Sequence, residues 1–313
     1  MQLLYALAEL RTPFLDALLG VLTNCGGELV FMAAAIIVFW CVSKSCGYYM
    51  LTVGFVGTIV NQFLKLVFRI PRPWVKDPDF QIVESARAEA TGYSFPSGHT
   101  QNVFASFGCL GRWTKQAWLR VVCALLIVVT AFSRMYLGVH TPLDVGVSFG
   151  IGLVLVFALY PLFRDIDSHP KRLYLLFGAM AVLGAAYLLF AELWPFPADV
   201  DAANLASGRK NAYTLLGAVL GMTFAYWLDR RYVHFDVRAV WWAQVLKAVL
   251  GLAITIGLRA ALKAPLLALC GGHNVANLIR YALMVIFAAG IWPMTFGWFG
   301  RLGRKKPASG ASD

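Results

Sequence analysis

Long apolar blocks constrain this chain more than any other feature of its sequence. Residues 48–67, 118–132, 145–162 and 173–190 are overwhelmingly apolar, and several reach or approach the roughly 20 residues that a helix needs to cross a bilayer. Charged residues make up 14% of the chain, against about 25% in soluble domains, and the mean hydropathy is +0.67. The strict alternation of a membrane β-barrel is missing from these blocks. The expected fold is therefore all-α: a polytopic transmembrane helix bundle of about nine spans, plus an N-terminal amphipathic or re-entrant segment.

The periodicity predicts helices at about 27–43, 47–69, 97–113, 117–136, 141–163, 172–194, 210–229, 239–263 and 274–299. Residues 1–24, interrupted at Thr12-Pro13, read as an amphipathic segment lying on the membrane or dipping into it. A net charge of +11 would suggest nucleic acid in a soluble protein. Here most Lys and Arg flank the apolar blocks, where insertion and anionic headgroups place them, so no nucleic-acid partner is expected. One face collects Lys44, Arg112, Lys115, Arg120, Arg164, Lys171, Arg172, Arg230, Arg231 and Arg238, with Arg301, Arg304, Lys305 and Lys306; the opposite face mixes its bases with many acids. The positive-inside rule puts the first face and the C-terminus in the cytoplasm, and the N-terminus and the 70–96 loop outside; compactness and the lack of organelle-retrieval signals point to a bacterial plasma membrane. The segment MQLLYALAEL has no basic n-region and no clear cleavage site, so no signal peptide is expected. The six cysteines form no CxxC pair and read as small buried hydrophobes. Trp113, Trp118, Trp194, Trp241, Trp242 and Trp298 are expected as interface anchors, Arg259, Lys263 and Arg280 as snorkelling cations, and 305–313 as a disordered tail.

Three polar segments fall on the same predicted face. Lys65 and Arg72-Pro73 close the second helix and open the long outer loop. Pro96-Ser97-Gly98-His99 begins the third helix, and Ser133-Arg134 with His140 and Asp144 links the fourth to the fifth. Ser97 suits an N-cap and Gly98 lets a ligand approach the backbone, so this helix start, with its free N–H groups and positive dipole end, suits a phosphate. Thr141 can cap the next helix, Pro142 fits its first turn, and Asp144 follows. His140 and Asp144 are four apart and meet on a helical turn; a carboxylate on Nδ1–H leaves Nε2 free as a nucleophile. Lys65, Arg72 and Arg134 bring three cations to phosphate oxygens. A metal site built from His99, His140 and Asp144 is conceivable, but those cations would repel a divalent ion.

Together the segments resemble the three-part signature of the type-2 phosphatidic acid phosphatase and vanadium haloperoxidase superfamily: K-x6-R-P, P-S-G-H, and S-R-x5-H-x3-D. All three are matched without a gap, over about residues 27–165. The resemblance implies that His140 attacks phosphorus, that Asp144 orients it, and that His99 protonates the leaving oxygen and later helps activate water. It implies that Lys65, Arg72, Ser97, Gly98 and Arg134 hold the phosphate, with no metal and no cofactor. It divides the chain into a phosphatase core, 1–165, and additional transmembrane helices, 166–313, outside the signature.

The leading expectation is hydrolysis of a lipid phosphate or diphosphate, such as undecaprenyl diphosphate or phosphatidate, through a phosphohistidine. The same residues would serve a lipid-linked phosphotransferase or a phosphatase of a soluble sugar phosphate. A transporter would instead place polar residues and broken helices near the bilayer midplane. The partners expected are the lipid phosphate and the bilayer.

Overall fold

The computed structural model describes residues 1–166 and 169–303; Arg304 and the expected disordered tail, 305–313, lie outside the described residues. Among the described residues all regular structure is helical. In chain order come α1 (Gln2–Glu9), α2 (Pro13–Leu22), α3 (Glu28–Cys41), α4 (Lys44–Phe68), α5 (Pro73–Lys76), α6 (Gly98–Val103), α7 (Cys109–Trp113), α8 (Ala117–Tyr136) and α9 (Pro142–Arg164). The second half holds α10 (Pro170–Leu193), α11 (Ala202–Leu228), α12 (Trp241–Ala261), α13 (Lys263–Leu269), α14 (Val275–Ile286) and α15 (Phe296–Phe299). A π-helical stretch, Phe104–Gly108, joins α6 and α7 into one rod, and irregular turns carry α14 on to α15.

Each of the nine expected helices has a counterpart, and all but one lie close to the predicted bounds; the exception, expected over 210–229, begins at Ala202. Six elements are long and apolar enough to cross a membrane: Lys44–Lys76, Ala117–Tyr136, Pro142–Arg164, Pro170–Leu193, Trp241–Leu269 and Val275–Phe299. A seventh arises if Pro13–Gly26 and Glu28–Cys41, bent by 49° at their junction, act as one span. The remaining rods differ for physical reasons. The α6–α7 rod stops after 113 because Thr114 leaves helical geometry. The N-terminal half of α11 carries Asn204, Arg209, Lys210 and Asn211.

The helix starts follow local capping chemistry. Ser43, Ser97 and Asp201 each accept a hydrogen bond from a backbone N–H of the first turn. Thr141 and Asp144 form a full capping box with Pro142 in the first turn of α9. At the other end of α4 the chain reverses at Arg69, whose left-handed backbone (φ 48°) turns Ile70 out into the long loop.

That loop does not hang free. Phe80, Ile82, Ala86 and Ala90 pack with Leu4 and Leu19 of the first two helices and with Tyr136, Leu137 and Val139. Arg11 donates to the Tyr136 and Gln81 carbonyls at 2.7–3.2 Å, and Tyr136 donates to Asp16 at 2.9 Å. The N-terminal segment thus packs on the loop and on the end of α8 as part of one lid.

The second half docks on the first through α4, which α10 and α11 both contact. In turn α11 packs along α14, and two glycines permit the approach. A Cβ at Gly217 or Gly221 would collide with the carbonyls of Leu278 or Ala282, four residues apart on the facing helix. Five of the six expected tryptophan anchors are exposed; Trp113 instead packs against Tyr49 and Tyr160. Arg280 is buried and donates to Asn277 at 2.9 Å rather than snorkelling. All six cysteines are free, and Cys46, Cys109 and Cys123 are buried.

Replacing Gly217 with Leu should therefore wedge α11 from α14. We expect a loss of about 1–3 kcal/mol, read as an earlier thermal unfolding transition of the detergent-purified protein.

Candidate active site

The three polar segments meet at one end of the bundle, on the ends of α4, α6, α8 and α9. Arg72 is the hub. Its Nη1 donates to the Val139 carbonyl at 2.9 Å, its Nη2 to Thr91 at 2.7 Å, and its Nε to Gly92 at 3.1 Å. The same Nη1 lies 2.9 Å from Nε2 of His140. A guanidinium can only donate, so Nε2 accepts and carries no proton, which leaves the imidazole proton on Nδ1.

Electrostatics points the same way. Burial first, then the Arg72, Arg134 and Lys65 cations, hold the His140 imidazole well below its ordinary range. The ring is neutral at neutral pH, with its lone pair on the side that Arg72 faces.

Asp144 sits behind the ring rather than tightly on it. Its Oδ2 is 3.5 Å from His140 Nδ1 and takes shorter bonds from Ser94 Oγ at 2.6 Å and from the Thr141 N–H at 2.7 Å. Ser94 Oγ also stands 3.5 Å from His140 Nδ1, so it bridges ring and carboxylate. The carboxylate is at once the N-terminal cap of α9 and the neighbour of the ring. Asp144 Oδ1 is buried with no hydrogen-bond partner in the protein.

Lys65, buried at the last turn of α4, donates to the Tyr93 carbonyl and lies 3.5 Å from that of Ser94. Arg134 is fully buried: its Nη1 donates to Thr23 at 2.8 Å, while Nε and Nη2 have no partner within the protein. Its own carbonyl accepts from the Val139 and His140 N–H groups. Ser97 is buried as the cap of α6 and accepts from Thr100; its N–H donates to the Asp144 carbonyl at 3.1 Å. His99 is half-buried, with Nε2 2.9 Å from Glu89 Oε2 in the lid loop. That hydrogen bond holds the Glu89 carboxyl below the usual carboxylate range.

A cavity of about 640 Å³ runs along α4 from this cluster. Lys65, Arg72, Gly98, His99 and His140 wall its outer end, whereas Ser97, Arg134 and Asp144 stand behind that wall. Polar side chains line the middle, and Phe31, Met32, Phe55 and Leu215 line the inner end. The size suits a small-molecule site, which typically spans about 300–1,000 Å³. Sequence reasoning missed Glu89, Ser94 and Thr23. Ser94 lies beside the Pro96–His99 segment, but nothing in its spacing points to Asp144.

Comparisons with known proteins identify the family of the chain. Residues 44–167 match the PAP2 superfamily model, and residues 213–305 match that of the PAP2 superfamily phosphatase, transmembrane extension. The chain carries a PAP2 superfamily domain together with that family's transmembrane extension. Among its relatives, undecaprenyl-diphosphatase BcrC of Bacillus subtilis is 33% identical over 39% of this chain and 61% of its own length. A probable sphingosine-1-phosphate phosphatase of Dictyostelium discoideum is 27% identical over 71% and 56%. Phosphatidylglycerophosphatase B of Bacillus subtilis is 25% identical over 52% and 80%. The chain thus spans less than two thirds of the first two relatives. No solved structure matches it significantly.

The state of His140 can be measured directly. With the histidines isotopically labelled, its ring signals should stay those of the neutral form as pH falls through the ordinary imidazole value of about 6.5. A midpoint at or above that value would contradict the geometry described.

Proposed function

We propose that the protein is an integral-membrane phosphatase that hydrolyses a lipid phosphate or diphosphate. The observation that carries this reading is the single cavity joining an unprotonated His140 Nε2, two cations and His99 to an apolar inner end. A substrate whose phosphate lay at the outer end would extend its chain along α4. The lipid phosphatases named among the relatives support the same class.

The chemistry is then in-line transfer to nitrogen. The substrate phosphate displaces Arg72 from Nε2, and the guanidinium moves to phosphate oxygens together with Lys65, Arg134 and the Gly98 N–H. The Nε2 lone pair attacks phosphorus, a P–N bond forms and the P–O bond to the lipid breaks. His99, held by Glu89, gives its proton to the leaving oxygen. A water then attacks the phosphohistidine, loses its proton to His99, and releases phosphate with Nε2 restored. The cations supply the charge that a divalent metal supplies in other phosphatases, so no metal or cofactor is needed. Asp144, with Ser94, keeps the Nδ1 proton in place and stabilises the positive charge that develops on the ring.

Residues 1–165 form the phosphatase core in this reading, and 166–313 the added helices that wall the lipid side. The nine rods cross the membrane with the site at the non-cytoplasmic mouth and the C-terminus cytoplasmic, following the distribution of Lys and Arg. Intact cells supplied with a short-chain lipid phosphate in the medium should release phosphate as fast as permeabilised cells. A rate that appears only after permeabilisation would reverse the orientation.

Phosphate release by purified protein tests the mechanism. His140→Ala should lower the rate by on the order of 10^4-fold or more and His99→Ala by about 10^2 to 10^4-fold, both with unchanged unfolding temperature. Vanadate should inhibit and EDTA should not; activity lost to EDTA and restored by magnesium would overturn the mechanism.

A further inference from the structure

The middle of the cavity holds groups that the chemical step does not use. One face of α4 descends from Lys65 through Gln62 and Asn61 to Thr58 and then Phe55, all of them cavity walls. At 1.5 Å per residue, Asn61 stands about 6 Å and Thr58 about 10 Å along the axis from Lys65. Gln101 and Asn102 of α6 face the same space. Asn61 and Gln101 are 2% and 1% exposed, and all four of their amide nitrogen and oxygen atoms lack a hydrogen-bond partner in the protein. Buried amides left unpaired are costly, and Thr58, Gln62 and Asn102 keep the surroundings polar. The backbone makes room for this: Gln101 lies against Gly57, where any Cβ would strike its amide.

Charge narrows what could pair with them. Lys65 and Arg72 are the cationic walls of the cavity, and both are at the reactive end; its carboxylates are Glu28 and Glu89. A second phosphate, one step further in than the reacting one, would meet neutral amides and Glu28 with no cation to balance it.

We infer that Asn61 and Gln101, supported by Thr58, Gln62 and Asn102, form a specificity subsite for the uncharged or cationic polar backbone of a lipid phosphomonoester. The ligand groups are the hydroxyl, amine or ester oxygens that follow the phosphate in a glycerol or sphingoid lipid. An isoprenyl chain offers none of them, and a diphosphate puts a charge where the site is neutral. The inference rests on the lipid phosphatase reading and chooses within it.

The test compares kcat/KM of purified protein for phosphatidate, sphingosine 1-phosphate, farnesyl phosphate and farnesyl diphosphate, in wild type, Asn61→Leu, Gln101→Met and Gly57→Ala. Wild type should prefer the first two. In each variant the ratio of kcat/KM for the preferred polar lipid to that for farnesyl phosphate should fall about tenfold or more. Whichever polar lipid loses its advantage identifies the backbone recognised. Asn61→Leu and Gln101→Met remove unpaired amides, so neither should unfold at a lower temperature than wild type. A ratio unchanged within about twofold in all three variants overturns the subsite but leaves the phosphatase reading standing. So does lower stability with a parallel loss on every substrate, or a wild type that turns over farnesyl diphosphate as well as phosphatidate. Release from none of the four overturns both.

Discussion

The contact between the Arg72 guanidinium and Nε2 of His140 ties together parts of the chain that sequence keeps far apart. Arg72 follows the end of α4, yet its guanidinium makes four contacts, to the lid loop at Thr91 and Gly92 and to the α8–α9 turn at Val139 and His140. Only a planar, permanently charged fork can make so many directed bonds at once. Those bonds fix where the ring of His140 stands and which of its nitrogens is free. Lys65, one helical turn before the end of α4, anchors the other side of the same loop through Tyr93 and Ser94.

Such a cluster is electrostatically incomplete by itself. Lys65, Arg72 and Arg134 are all nearly or fully buried, and Asp144 is the carboxylate buried among them. Two guanidinium nitrogens of Arg134 have no protein partner. An oxyanion in the cavity would relieve the repulsion among them. Tertiary packing holds the cluster together: α1, α2 and the 70–96 loop pack as a lid against the end of α8, and Thr23 accepts from Arg134 at 2.8 Å. In the lid, Glu89 reaches His99, so the proposed proton donor is held from the opposite wall.

The cavity grades from charged, through neutral polar, to apolar along α4, which is the order in which an amphiphile presents its parts. The second half of the chain contributes to the inner wall through Leu215 of α11, and the tight α11–α14 pairing stiffens that wall. Close backbone approach at Gly217 and Gly221 is what permits that pairing.

What the sequence determined by itself was local. Hydropathy blocks, prolines and caps set most of the nine helices to within a few residues, because helix formation and capping depend on neighbours within a few positions. The spacing within Lys65–Arg72, Ser97–His99 and Arg134–Asp144 likewise carried the residues that the structure gathers at the candidate site. What tertiary structure decided were the pairings across the bundle. Ser94 took the short bond to Asp144 and left His140 at 3.5 Å; Glu89 met His99; Thr23 met Arg134; Trp113 and Arg280 turned inward. The N-terminal segment became part of a lid, and Asn61 and Gln101 came to face one cavity from different helices. None of these leaves a periodic or spacing signal, because each depends on how separate rods pack side by side, and rod packing is set by shape summed over many residues rather than by any short stretch of chain.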